Sequence, residues 1–149
     1  MENKSSGGPL VQQHNTQHER RQDATGVPVS VSHGFDFYET WLRFLFCLNN
    51  VRRSDIKVMA HLLLRRDEIS SRCPDPEIVD EILFSSTERN KVNERIGCSK
   101  ECFRQSLMAL RKCGAIKGNK VNQRIIPHFI YGGDYMLMIH FRFNDSNKS

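Results

Sequence analysis

Two helical patterns separated by three residues constrain this chain more than any other feature. Ser85-Ser86-Thr87-Glu88 has the spacing of a capping box. In it Ser85 caps a helix and Glu88 reaches back to its amide. The apolar period carries that helix to Ile96, with Val92 and Ile96 inward. Gly97 can take the positive φ that stops a helix. Ser99 can cap a new one at once, because its hydroxyl accepts from an unpaired amide of the next first turn.

The second helix is predicted over Lys100 to Cys113. One side collects Cys102, Phe103, Ser106, Ala109, Leu110 and Cys113, with Leu107 at its border. The other collects Lys100, Glu101, Arg104, Gln105, Met108, Arg111 and Lys112. One flank is apolar or small and the other basic and polar, so the helix seats on a core and offers cations outward. Gly114 follows as its stop. From Ala115 to Ile126, Gly118-Asn119 sits between two short apolar segments, which predicts a hairpin with a basic tip. Pro127 ends it.

Upstream, residues 1–33 are rich in Gln, Asn, Ser, Gly and His and offer little to bury, so a flexible polar arm is expected. Val27 to Val31 is a candidate edge strand. His14 and His18 stand four apart, but no Cys or carboxylate cluster joins them as a metal site. Phe37, Trp41, Phe44, Leu45 and Leu48 recur at helical spacing, and Asn49-Asn50 ends that helix. Phe37, Trp41, Phe44 and Leu45 present much aromatic surface for a small core, so a homodimer through them is an expectation. Ser54 is read as the cap of a helix burying Ile56, Met59, Ala60 and Leu63 to about Arg66, with Asp55 favouring its dipole and His61 exposed. Asp75 and Pro76 open a short helix, with Ile78, Ile82 and Leu83 as its inward face. Tyr135, Leu137, Ile139, Phe141 and Phe143 alternate with Met136, Met138, His140 and Arg142 as a strand. Residues 144–149 read as a polar tail.

Charge is unevenly spread. The chain carries +5 over 149 residues. Residues 67–88 carry −6 and residues 89–124 carry +8, counted along the sequence. A basic block on an amphipathic helix and a hairpin points to a polyanion. No 18-residue apolar run suggests a membrane span. Five cysteines without a paired Cys-x-x-Cys motif do not suggest a disulfide scaffold or a zinc finger, so a reducing cytoplasm is expected. Cys98, near Lys100 and a helix start, is a candidate redox thiol. Phosphate-loop, dinucleotide, metalloprotease and hydrolase motifs are missing, so neither catalysis nor a cofactor or small-molecule ligand is expected.

The order helix, short turn, basic amphipathic helix, glycine, basic hairpin, strand resembles a winged helix-turn-helix DNA-binding domain. The resemblance is carried by Ser85 to Glu88, Gly97 to Ser99, Lys100 to Cys113 and Lys117 to Arg124, and extends over about residues 54–143. It is similar in pattern to small phage-encoded winged-helix proteins and, more distantly, to plasmid replication initiators. It implies an α+β, mostly helical fold of four to five helices plus a small antiparallel sheet, over residues 34–143. It implies that Lys100 to Cys113 enters the major groove of double-stranded DNA, in the cytoplasm of a bacterial host if phage-encoded. Ser99, Lys100, Arg104 and Gln105 would meet base edges or nearby phosphates. Arg111, Lys112, Lys117, Lys120 and Arg124 would meet the backbone. Arg89 and Lys91 would meet it where the first helix opens. Transcription regulation is the role implied. A non-catalytic interaction module, virion- or polymerase-associated, and a replication initiator are the alternatives.

Overall fold

The structure, a computed structural model, describes residues 30–46 and 50–128. The candidate strand at 27–31 for the most part, Leu48, the strand at 135–143 and the 144–149 tail lie outside the described residues. By contact the chain divides into Met1–Ser30 and Val31–Ser149, and every described residue but Ser30 belongs to the second unit.

The described residues form five α-helices and one two-stranded antiparallel sheet, an α+β fold that is mostly helical. The helices are α1 (Phe35–Phe46), α2 (Arg53–Ser70), α3 (Pro76–Leu83), α4 (Ser86–Ile96) and α5 (Lys100–Lys112). The strands are β1 (Ile116–Lys117) and β2 (Lys120–Val121), followed by one 3-10 turn, Gln123–Ile125. α2 lies at the centre and packs on α1, α3, α4 and α5. Its residues Met59, Ala60 and Leu62 are fully enclosed, as are Leu42, Leu83, Val92 and Leu110 from its neighbours. Removing that apolar surface from water is the main force holding the five helices together.

Local signals govern the ends of α3, α4 and α5. Asp75 accepts from the amide of Glu77 at 2.9 Å, and Pro76 opens α3. Ser85 accepts from the amide of Glu88 at 3.3 Å, and Ser99 from that of Cys102 at 3.1 Å. Gly97 closes α4 with φ +72°, a conformation that costs an L side chain but not glycine. α5 ends one residue earlier than expected, with Cys113 as the residue that leaves the helix.

Elsewhere the structure corrects the sequence reading. α2 begins at Arg53, so Ser54 lies inside it and caps nothing. The Arg52 carbonyl accepts from Asp55 and Ile56 at 3.0 and 3.1 Å. The Arg52 guanidinium grips the Asp55 carboxylate through two bonds, of 2.9 and 3.0 Å. That ion pair anchors the first turn in place of a hydroxyl. α2 also runs on to Ser70 rather than ending near Arg66. His61 is half-buried, its ring 4.3 Å from that of Phe35. In α3 the inward residues are Val79, Asp80 and Leu83, while Ile78 and Ile82 are 45% and 38% exposed. Glu88 does not reach back to Ser85: its carboxylate takes Arg65 at 2.6 Å and Lys91 at 2.8 Å, and burial beside two cations outbids one amide. Cys102, expected on the seated flank of α5, is exposed.

Trp41 lies inside the chain's own core, and its Nε1 donates to the Ile125 carbonyl at 2.8 Å. Phe37 and Leu45 pack half-buried against the same core, and Phe44 is exposed. Trp41 is thus covered within the chain.

The hairpin is too short to orient itself. Two residue pairs, Ile116 with Val121 and Lys117 with Lys120, make up its ladder. Long-range contacts hold it instead. Ile116 and Val121 point inward. Asp80 of α3 accepts from the Val121 amide at 3.1 Å. The same carboxylate accepts from Arg66 Nε of α2 at 2.7 Å. One buried acid thus ties α2, α3 and β2 together.

Candidate nucleic-acid interface

α5 presents its two flanks as its sequence pattern requires. Phe103, Ser106, Leu107 and Leu110 are buried against the core. Lys100, Arg104, Gln105, Arg111 and Lys112 are exposed, with Glu101 and Met108 among them. Ser99 stands at the start of this side, and its oxygen is engaged as the cap.

Between α4 and α5 runs a cleft of about 210 Å³. Ser86, Arg89, Asn90 and Asn93 line it from α4, and Lys100, Phe103, Arg104 and Leu107 from α5. Arg89 is half-buried there, and its Nε is enclosed without a hydrogen-bond partner. Burying a guanidinium nitrogen unpaired is costly. The structure therefore brings Arg89, Lys100 and Arg104 to one cleft. The sequence did not single out Asn90 and Asn93, which add amide groups to it.

Several of the expected cations hold carboxylates of the same chain. Lys91 pairs with Glu88 at 2.8 Å. Lys120 pairs with Glu77 at 3.0 Å. Arg104 forks onto Glu101 at 2.7 and 3.0 Å, and Gln105 donates to the same acid at 3.1 Å. Glu101 is consequently held below the usual carboxylate range, by Arg104 first and Gln105 second. Arg111 donates through Nε to the Gly118 carbonyl at 3.2 Å, linking the end of α5 to the hairpin turn. Lys100, Lys112, Lys117 and Arg124 make no ion pair among the described residues. Lys117 stands directly opposite Lys120 across the hairpin, both exposed. Like charges facing across strands cost stability, and the Glu77 carboxylate on Lys120 offsets part of that cost.

The acidic partners Glu77 and Glu88 were not assigned to this surface from sequence, and Glu101, read on the outward side of α5, was given no partner there. The three-residue spacing of Glu88 with Lys91 and of Glu101 with Arg104 was the available signal. Cys98 is not primed as a thiolate. Burial and the neighbouring Cys102 push its thiol up, and its Sγ donates to Asn93 Oδ1 at 3.0 Å. Among the described residues no group of three or more His, Cys, Asp or Glu is placed to hold a metal ion, and no helix is long and apolar enough to cross a membrane. No protein-family model, curated protein or solved structure matches the chain.

Proposed function

We propose that this protein binds double-stranded DNA sequence-specifically as a winged helix-turn-helix transcription regulator. α4, the turn Gly97-Cys98-Ser99 and α5 are the helix-turn-helix, and β1 with β2 is a short wing. The single observation that carries the reading is the outward side of α5. Lys100, Arg104, Gln105, Arg111 and Lys112 stand exposed there, with Glu101 among them, on a helix whose other flank buries Phe103, Ser106, Leu107 and Leu110. An α-helix of about 10–12 Å diameter fits a major groove about 12 Å wide. Phosphate contacts from Arg89, Lys112, Lys117 and Arg124 would set its register, and Lys100, Arg104 and Gln105 would read base edges. Lys91, Arg111 and Lys120 would join the backbone contacts by exchanging their internal partners for phosphate.

Selection of bound duplexes from random DNA at two ionic strengths tests this. The expected result is one enriched sequence and an affinity that falls with log salt at a slope of about −0.9 per phosphate contacted. Protein that shows no salt-dependent duplex binding at low ionic strength refutes the reading. A second reading, a non-catalytic protein-interaction module, draws on α3. Its outer side exposes Ile78 and Ile82 beside Glu77 and Glu81. Duplex-blind protein whose capture of a basic partner is lost on Ile78→Ser would favour that second reading.

A further inference from the structure

The reading side of α5 carries an acid that its basic character conceals. Glu101 is the second residue of the helix and is mostly exposed. It accepts three hydrogen bonds. Arg104 Nε donates to Oε2 at 3.0 Å and Arg104 Nη2 to Oε1 at 2.7 Å. Gln105 Nε2 donates to Oε1 at 3.1 Å. The two side chains best suited to base edges are thus gathered on one carboxylate. As surface pairs these bonds add little to stability, and a first-turn acid also favours the helix dipole; neither effect requires that the acid gather both Arg104 and Gln105.

An anion pressed toward a phosphate-lined groove is repelled and loses hydration, so Glu101 opposes binding to every duplex. A base edge relieves that cost where it offers a hydrogen-bond donor to the lone pairs that remain. In the major groove the cytosine N4 amino group is such a donor, and it is the usual partner of a Glu or Asp carboxylate. The Nε edge of Arg104 is held by Glu101, which leaves the Nη1 end, now 3.6 Å from Met108 Sδ, to meet a base. Three residues separate Glu101 from Arg104, about 4.5 Å along the helix axis.

We propose that Glu101 is a specificity-determining residue of this surface, accepting from a cytosine N4 amino group while Arg104 beside it contacts guanine, and rejecting duplexes that lack that cytosine. The inference rests on the DNA-binding reading and adds to it the repulsive contact that turns affinity into discrimination.

The test uses the full chain and the duplex enriched by wild-type protein, compared with the same duplex carrying T·A at the assigned C·G pair, which puts the thymine O4 acceptor where the cytosine N4 donor stood. Wild-type protein should prefer the enriched duplex by about tenfold over the altered one. Glu101→Gln should bind an unrelated duplex about threefold tighter and lose most of the preference at that one pair. Glu101→Asp keeps the charge and shortens the reach, so it should lose the preference without the gain in general affinity. Position 101 is exposed, and an unchanged melting temperature confirms the fold of each variant. Glu101→Gln protein that keeps the wild-type preference, at any overall affinity, overturns the assignment and leaves the DNA reading standing. Wild-type protein with no salt-dependent duplex binding overturns the DNA reading and the role of Glu101 together.

Discussion

Replacing Asp80 by asparagine removes one charge and almost no volume from the buried group that ties α2, α3 and β2 together. Its side chain is 3% exposed. One oxygen accepts from Arg66 Nε at 2.7 Å and the other from the Val121 amide at 3.1 Å. An asparagine has one acceptor oxygen, so its amide nitrogen must face one of two donors. If it faces Val121, that amide loses its partner in the core, a cost of about 1–3 kcal/mol. In either rotamer Arg66, whose side chain is 11% exposed, loses its counter-charge. Breaking one side of a buried pair costs about 3–5 kcal/mol. Because a little of Arg66 still reaches water, we expect a loss near the lower bound, about 3 kcal/mol. Domains of this kind hold about 5–15 kcal/mol in all. Urea unfolding followed by circular dichroism at neutral pH measures the change. Amide exchange at Val121 reports whether the hairpin loosens with it. The double variant Asp80→Leu, Arg66→Met leaves neither charge behind and should lose less than Asp80→Asn alone. A loss under about 1 kcal/mol for Asp80→Asn, or unchanged exchange at Val121, would refute the claim that this acid fixes the hairpin.

Three further outcomes follow from the same structure. Arg65 first and Lys91 second hold the Glu88 carboxyl down at about 2, from an ordinary 4.5; its stabilising effect should be complete above pH 4.5 and fade as pH falls toward 2. Glu88→Gln should therefore flatten the acid arm of a stability-versus-pH curve, and an unaltered arm would count against the pairing. Gly97→Ala should cost about 1 kcal/mol in chemical denaturation. A Cβ there meets nothing within 4 Å, so a much larger loss would mean that more than the +72° φ is involved. Ser106 is fully buried on α5 with its hydroxyl oxygen unpaired. Ser106→Ala should be neutral or stabilise by up to about 1 kcal/mol, and a clear drop in melting temperature would reveal a bond that the geometry lacks.

α4 and α5 were readable from sequence because what defines them is local. Ser85, Gly97 and Ser99 act on amides and dihedrals within three residues of themselves. The two flanks of α5 follow from 3.6 residues per turn alone, and the Gly118-Asn119 hairpin follows from its turn residues. α3 shows where such reading stops. Its sequence offers two apolar ridges, Ile78 with Ile82 and Val79 with Leu83, and periodicity ranks them equally. The second was chosen because burying it also brings Asp80 to Arg66 and to the Val121 amide, partners 14 and 41 residues away. Glu88 likewise left its own helix end for Arg65, 23 residues back. Trp41 meets the Ile125 carbonyl across 84 residues. Capping and amphipathic signals act over one turn of chain and so are written in order along it. Ion pairs, buried donors and the choice between two apolar faces depend on which segments the packed core sets side by side, and only the tertiary structure decides that.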